Sequence, residues 1–220
     1  MLFRSERALA DAARAARKPI AEAIKLLDKL VALQPSMERE NLCGSAYKRL
    51  AMVEAAAGQA QAEAHAIKQM KQHYERAERL GIEGQLPGVF YPALNRIAAE
   101  LVLNAGQAGW SGLDSGAVAA VRHSLATQSR DAPDFWSVVG LTELRLYEAL
   151  ARSELAAELA AIEAEYAELH TRVSSVGMWG SVYDQLRFVL PKYADRAPVA
   201  EKRAAESLLK VVEGFAGPPR

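Results

Sequence analysis

The residues that most readily bind metal ions are sparse in this sequence. Four histidines, His65, His73, His123 and His170, accompany a single cysteine, Cys43. No two of them are three or four positions apart, the spacing that points two ligands to one side of a helix. His65 and His73 would lie about 12 Å apart along one helix, too far to share an ion. The sequence therefore predicts no metal site and no cofactor, with the histidines in surface or packing roles.

Residue patterns that would support catalysis are also lacking. No Gly-x-Ser-x-Gly segment is present, and Cys43 is expected to be a small buried apolar residue. The glycines between positions 106 and 116 lack the Gly-Lys-Ser/Thr sequence of a phosphate-binding loop. The glutamates between positions 154 and 168 form no Glu-x-x-His pair, so they predict a solvated helix face. We expect a protein that is not an enzyme.

Charge and hydropathy exclude two classes of partner. The 27 basic and 27 acidic side chains cancel, which removes the positive field that nucleic-acid binding requires. No apolar stretch approaches the roughly 20 residues that cross a bilayer. The single cysteine precludes an internal disulfide and favours a reducing compartment, so a cytoplasmic location is expected. An excess of basic residues over positions 4–18 predicts a solvated face of the first helix, with contact to an acidic partner as the alternative.

Helix-forming residues dominate the chain, and proline and glycine divide it. Alanine is abundant, aromatic residues make up only 7% and hydrophobic residues 50%. Pro19 is expected to separate two helices, Gly58 to cap one in left-handed geometry, Asp134 to begin one and Ser153 to cap the next, while Pro191 ends another. The first six predicted helices span about 5–17, 19–33, 41–58, 59–80, 90–104 and 116–128. The seventh begins at 134, the eighth extends from 153 to 171, and the last two span 177–190 and 198–215.

Large aromatic residues open alternate helices at a nearly constant interval. Tyr47, Phe90, Trp136 and Trp179 are separated by 43, 46 and 43 residues. Ala23, Leu27, Leu30 and Pro35 follow the second half of a tetratricopeptide repeat, although the unit exceeds its standard 34 residues. The prediction is an all-α, right-handed solenoid of antiparallel helix pairs with about ten helices. It forms one domain over 1–220, with an N-terminal helix at 1–18 and a frayed tail at 216–220. Phe90, Trp136 and Trp179 are expected in the core.

Two short segments resemble a more particular family. Residues 90–95 have the sequence FYPALN, and Asp134-Phe135-Trp136 is followed by Thr142-Glu143. These resemble motifs of the tetratricopeptide-like, TRAF-binding regulatory region of apoptosis signal-regulating kinases and its bacterial relatives. The resemblance covers about residues 20–169, with Ala93-Leu94 where the family pattern has Gly-Ile. It implies a regulatory domain of a bacterial effector or signalling assembly, linked to an effector protease or a kinase.

The concave face of such a solenoid is the expected binding surface. Aligning each opening aromatic with the tetratricopeptide register selects partner-binding positions: Lys48, Tyr91, Asn95, Arg145, Asp184 and Arg187. Their mixed charges, with an aromatic and an amide, would suit an extended peptide or another protein. Ordinary solvation or hydrogen bonding between helices is the other role open to each. A second hypothesis is a small-molecule sensor or helical enzyme with a pocket near Tyr91, Asn95, Trp136 and Glu143, and a third is self-association.

Overall fold

A computed structural model of the chain describes residues 2–217, with side chains from residue 11 onward. Within that range the secondary structure is entirely helical, with nine helices and no strand. The all-α prediction is confirmed. The helices are α1 (Leu2–Leu33), α2 (Met37–Ala56), α3 (Ala60–Glu83), α4 (Phe90–Asn104), α5 (Ser115–Asp131), α6 (Phe135–Arg152), α7 (Leu155–Arg172), α8 (Val176–Ala194) and α9 (Val199–Ala216).

The first helix continues through a proline that was predicted to end it. Pro19 lies inside α1, so the separate N-terminal helix over 1–18 is wrong, and two predicted helices are one. Proline leaves the carbonyl of the residue four positions earlier without its helical donor. Both Pro19 and Ala15 are exposed, which lets water hydrate that carbonyl. Pro191 repeats the arrangement inside α8, where Arg187 is the exposed residue four positions earlier, so the predicted end at Pro191 is also wrong.

Helix termini follow the predicted capping residues in two cases and depart in a third. Asp134 caps α6 through a hydrogen bond from the backbone N–H of Ser137, and Gly58 adopts a φ of 68° just beyond α2. Ser153 was predicted to cap α7. It instead ends α6 in left-handed geometry, with a φ of 56°. The N-terminus of α7 is capped from α9, a contact between distant residues that local sequence does not reveal.

The chain divides into two compact units, Met1–Ala99 and Glu100–Arg220. In the first unit, α1 packs on α2, and α2 forms a close antiparallel hairpin with α3. Gly44 of α2 makes the hairpin tight, because a Cβ atom there would lie 2.8 Å from the Tyr74 ring of α3. Buried Met70 and Ala77, also on α3, extend the apolar core of this unit.

In the second unit, α5 packs on α6, α6 on α7, and α9 on both α7 and α8. Trp179 of α8 is completely buried, in edge-on contact with Phe135, Tyr166 and Phe215. The prediction of one domain over 1–220 stays a prediction. The predicted frayed tail lies mostly at residues 218–220, outside the part that the structure describes.

The repeating aromatic residues lie on alternate helices, α2, α4, α6 and α8, as their spacing predicts. Phe90 and Trp179 are buried, in agreement with their predicted core positions. Trp136 is 41% exposed, so its predicted core position is wrong. The preceding residue, Phe135, lies between it and the core, with its ring 5.6 Å from that of Trp179 and 5.0 Å from that of Trp136.

Candidate functional sites

Three of the predicted partner-binding residues belong to the first unit. Lys48 is half-buried on α2. Tyr91 on α4 is 43% exposed, and its ring meets that of Tyr74 edge-on at a centroid distance of 6.3 Å. Asn95 is buried, and its side-chain amide donates a hydrogen bond of 3.0 Å to the carbonyl of Tyr91. Asn95 therefore contributes to the structure of α4, whereas Tyr91 offers an aromatic surface to solvent.

Arg145 is engaged by acidic residues of the neighbouring helix. Its Nε donates to Glu158 on α7 at 2.8 Å, and its Nη1 pairs with Glu165 of the same helix. Glu158 also accepts from Arg152 at 2.9 Å. Two of the glutamates predicted as a solvated face, Glu158 and Glu165, thus join α6 to α7, whereas Glu168 pairs with Arg172 of its own helix. A ligand that used Arg145 would have to compete with these ion pairs.

Asp184 and Arg187 line a groove on α8 and the end of α9. The cavity has a volume of about 600 Å³. Tyr183 donates a hydrogen bond of 2.8 Å to Glu213, and the Arg187 guanidinium lies 5.6 Å from the centre of the Tyr183 ring. Burial and the adjacent Glu213 carboxylate raise the pKa of Tyr183, so its hydroxyl remains protonated at neutral pH.

Glycine keeps the floor of this groove open. Gly177 and Gly180 line it from α8, and a Cβ atom added at either position would meet no other atom within 4 Å. Val176 exposes an apolar side chain at one end. The groove therefore combines exposed glycine positions and the apolar Val176 with charged walls. Its other lining residues are Ser181, Tyr183, Asp184, Arg187, Glu213, Ala216 and Gly217.

The residues of the predicted small-molecule pocket belong to different units. Tyr91 and Asn95 lie on α4 as above. In the second unit, Glu143 is half-buried and accepts a hydrogen bond from Tyr147, whose hydroxyl also accepts one of 2.8 Å from the side chain of Gln185. Glu143 thus belongs to a polar network of the second unit, and the exposed Trp136 lies about two helical turns before it on α6. That pocket stays a prediction.

A cluster of ionisable side chains that the sequence did not predict lies in the first unit. Glu40 of α2 is buried and accepts from Arg76 Nε of α3 at 3.0 Å. His73, also buried, has its Nδ1 2.7 Å from Glu40 Oε2 and 2.7 Å from Arg76 Nη2. The ring of Tyr47 stacks on His73 at 5.2 Å. The imidazole is therefore fixed in position from two sides.

Cys43 and Asp28 complete this cluster. Ligand atoms of Asp28 on α1, Cys43 on α2 and His73 on α3 all lie within 4.8 Å of one another. Cys43 is completely buried, and Asp28 is exposed. Three helices of the first unit thus bring together a carboxylate, a thiol and an imidazole.

The electrostatics of the cluster do not favour a nucleophilic cysteine. Burial, with smaller contributions from the Asp28 and Glu40 carboxylates, raises the pKa of Cys43 to about 11. A reactive cysteine instead has a lowered pKa, because the thiolate is the nucleophile. Burial also lowers the pKa of His73, although its hydrogen bond to Glu40 opposes that effect. A thiol and a neutral imidazole are the expected forms at neutral pH.

Sequence spacing held part of the signal for this cluster. Glu40, Cys43 and Tyr47 follow one face of α2, and His73 and Arg76 follow one face of α3. The prediction compared ligands within single helices, whereas these ligands meet across a hairpin. Their meeting depends on the register of α1, α2 and α3, which the short turns around positions 34–36 and 57–59 set.

The other histidines have the roles that the sequence predicted. His170 stacks on Phe215 at a ring distance of 4.4 Å, which is a packing role. His65 and His123 are exposed. Among the described residues, no helix combines the length and apolarity needed to cross a membrane.

One comparison with known proteins found a match in the first part of the chain. Residues 3–101 match the family model Tetratricopeptide Repeats-Sensor. The match includes α1 to α3 and most of α4, and it supports a tetratricopeptide-like family. It does not extend to the specific TRAF-binding lineage. Searches of curated proteins and of solved structures gave no match.

Proposed function

We propose that this protein is a non-catalytic binding module, a regulatory scaffold that holds a segment of another protein in the groove on α8 and α9. The groove itself carries the proposal. Two residues chosen from the repeat register, Asp184 and Arg187, line the same cavity, and the open backbone at Gly177 and Gly180 gives a peptide room to approach. Tetratricopeptide-type repeats, the type that residues 3–101 match, typically bind proteins, which agrees with a binding role for the chain as a whole.

The chemistry of the groove favours an extended segment of mixed polarity. Arg187 would pair with a carboxylate, Asp184 and Glu213 with a basic side chain, and Tyr183 would cover an apolar one. Among the residues that line the groove, Arg187 is exposed to solvent. Arg145 would contribute less readily, because Glu158 and Glu165 already hold it.

Filling the groove tests the proposal without disturbing the core. The full chain is used to capture its partner from the native source, and the partner is identified by its stoichiometric recovery. Gly180→Leu places a side chain in open space on the groove floor, and we expect it to weaken binding at least tenfold. Gly214→Leu is the matched control, since its added Cβ also meets nothing within 4 Å and Gly214 does not line the groove. Equal binding by wild type and Gly180→Leu would refute the groove assignment.

We extend the proposal to a regulatory assembly that includes an effector protease or kinase. The resemblance of residues 90–95 and 134–136 to the regulatory region of apoptosis signal-regulating kinases supports a bacterial, cytoplasmic regulator of an effector protease or kinase. An adjacent gene for such an effector would be the expected genomic observation. Self-association is tested by light scattering over a range of concentrations.

Small-molecule sensing is the second candidate, favoured by the word "Sensor" in the description of the matched family. A ligand that binds only the folded chain raises its apparent stability by mass action. Thermal-shift screening against nucleotides and metabolites is therefore the discriminating experiment. A saturable shift that Gly180→Leu leaves intact, together with no protein partner, would favour sensing at another site.

A further inference from the structure

The Asp28, Cys43 and His73 cluster has the composition of a transition-metal site. Thiolate, imidazole and carboxylate are the ligands of zinc, and sites with three protein ligands leave a fourth position for water. Each ligand here comes from a different helix of one tightly packed unit. Such a site would be held by the tertiary fold, as a functional metal site requires.

The distances allow a metal ion after a small adjustment of side chains. The three ligand atoms lie within 4.8 Å of one another. Tetrahedral zinc, with bonds of about 2.0–2.3 Å, keeps its ligand atoms roughly 3.5 Å apart. The ligand atoms therefore need to approach one another by up to about 1.3 Å. Asp28 is exposed on α1, so its side chain can rotate toward the buried Cys43 and His73.

Glu40 supplies the outer partner that metal-bound histidines normally have. A histidine that binds zinc usually donates its other ring N–H to a carboxylate, which fixes its tautomer. Glu40 Oε2 lies 2.7 Å from His73 Nδ1, in position to accept that hydrogen bond. Arg76 competes for the same nitrogen at 2.7 Å. A metal ion on Nε2 would favour the tautomer in which Nδ1 donates to Glu40.

The charges balance with a divalent ion in place. Metal binding would release the Cys43 proton to solvent. Asp28, Glu40 and the resulting Cys43 thiolate would then carry three negative charges together, and Arg76 carries one positive charge beside Glu40. A divalent cation brings this set to neutrality. Partial burial makes such neutrality valuable, because unpaired charge in a protein interior is costly.

We propose that Asp28, Cys43 and His73 form a zinc-class metal site in the first unit, with Glu40 orienting His73 and a water molecule as the fourth ligand. This site is independent of the partner groove, which lies in the second unit.

The test is titration of the metal-free, reduced full chain with Zn²⁺ by calorimetry. We expect one Zn²⁺ per chain and a higher melting temperature when zinc is present. Asp28→Asn changes an exposed residue and should leave folding intact while weakening Zn²⁺ binding about tenfold or more. Asp11→Asn is the matched control, since Asp11 is an exposed carboxylate on the same helix that pairs with Arg14. Glu40→Gln, one step from the metal, should weaken binding about 10–100-fold.

Cobalt reports the thiolate directly. Co²⁺ in the same site should give a sulfur-to-metal charge-transfer band in the wild type and in Asp11→Asn, and the band should vanish in Cys43→Ala. If Cys43→Ala fails to fold, the wild-type band and the Asp28→Asn titration decide. The proposal is overturned if the wild type takes up no stoichiometric Zn²⁺, if its cobalt complex lacks the band, or if Asp28→Asn binds Zn²⁺ as tightly as the wild type.

Discussion

Both units bury glutamates, and Glu40 and Glu201 differ in their partners. Glu201 of the second unit accepts hydrogen bonds from the backbone N–H groups of Leu155 and Ala156, at 2.9 and 3.0 Å, and from the Tyr193 hydroxyl at 2.6 Å. Glu40 of the first unit contacts only side chains, the imidazole of His73 and the guanidinium of Arg76. Glu201 caps the N-terminus of α7. Glu40 instead pairs with the Nδ1 atom of His73 across the α2–α3 hairpin.

Glu201 meets backbone N–H groups of a distant helix terminus, whereas Glu40 meets an imidazole and a guanidinium. The N-terminus of α7 presents unpaired N–H groups and a partial positive charge, so a carboxylate there stabilises the fold directly. Burial raises the pKa of Tyr193, aided by the hydrogen bond to Glu201, which keeps the tyrosine hydroxyl protonated as a donor. Glu40 lies in the first turn of α2, and its carboxylate pairs with the side chains of His73 and Arg76 of α3. Cys43 and Asp28 have ligand atoms within 4.8 Å of the same histidine.

Removing Glu201 should give the largest effect on stability. Glu201→Ala leaves two N–H groups of α7 and the Tyr193 hydroxyl without their acceptor, and we expect a loss of roughly 3 kcal/mol of unfolding free energy. Urea denaturation followed by circular dichroism measures this loss. Glu206→Ala, an exposed change on the same helix, should alter stability by less than about 0.5 kcal/mol. A similar small loss for Glu201→Ala would contradict the structural role of its carboxylate.

Glycine-to-alanine changes in the two units should have opposite signs. Gly44→Ala places a Cβ atom 2.8 Å from the buried Tyr74 ring, so we expect a loss of roughly 1–3 kcal/mol. Gly180→Ala meets nothing within 4 Å inside α8, and alanine favours a helix over glycine by about 0.5–1 kcal/mol, so it should gain that amount. Thermal and urea unfolding of the two variants compare them directly. Destabilisation by both would mean that the groove floor at Gly180 is closed.

Glu158 should give the smallest effect, and one that depends on pH. Its hydrogen bond from Arg145 lowers the pKa of the Glu158 carboxyl, so its contribution is fully present above the unfolded pKa of about 4.3 and is lost as pH falls through the lower folded value. Because the pair is partly exposed, Glu158→Gln should cost no more than about 1 kcal/mol at pH 7. Urea unfolding of both proteins at pH 7 and pH 4 measures the difference, which should shrink at the lower pH. If the stability difference between the wild type and Glu158→Gln were larger at pH 4 than at pH 7, the stabilising role of the Glu158 carboxylate would be contradicted.

Much of the helical framework could be predicted from local sequence. Asp134 marks the start of α6 and Gly58 the end of α2, because capping depends on residues within one turn. The helix ends predicted at Pro19 and Pro191 are wrong, because whether a proline ends a helix depends on hydration of the carbonyl four positions earlier. The prediction that Ser153 caps α7 is wrong for a related reason. The cap of α7 comes from Glu201, which is 46 residues from Leu155.

The candidate sites could also be predicted only where spacing along the chain was enough. The aromatic interval from Tyr47 to Trp179 was enough to place Asp184 and Arg187 on a repeat helix, and both line one groove. The exposure of Trp136 was not predictable, since Phe135 beside it could equally have been the outer residue. The meeting of Asp28, Cys43 and His73 was also out of reach, because it needs the register of three helices.

The amino-acid sequence by itself determined that this protein is helical and that its helices recur in pairs, because capping, proline, glycine and apolar periodicity act over a few residues. Only the tertiary structure decided which buried charges are fully satisfied, which glycine is tightly packed and which is open, and which ligands meet. Those outcomes depend on contacts between helices, and a shift of one turn, about 5.4 Å, would replace every one of them.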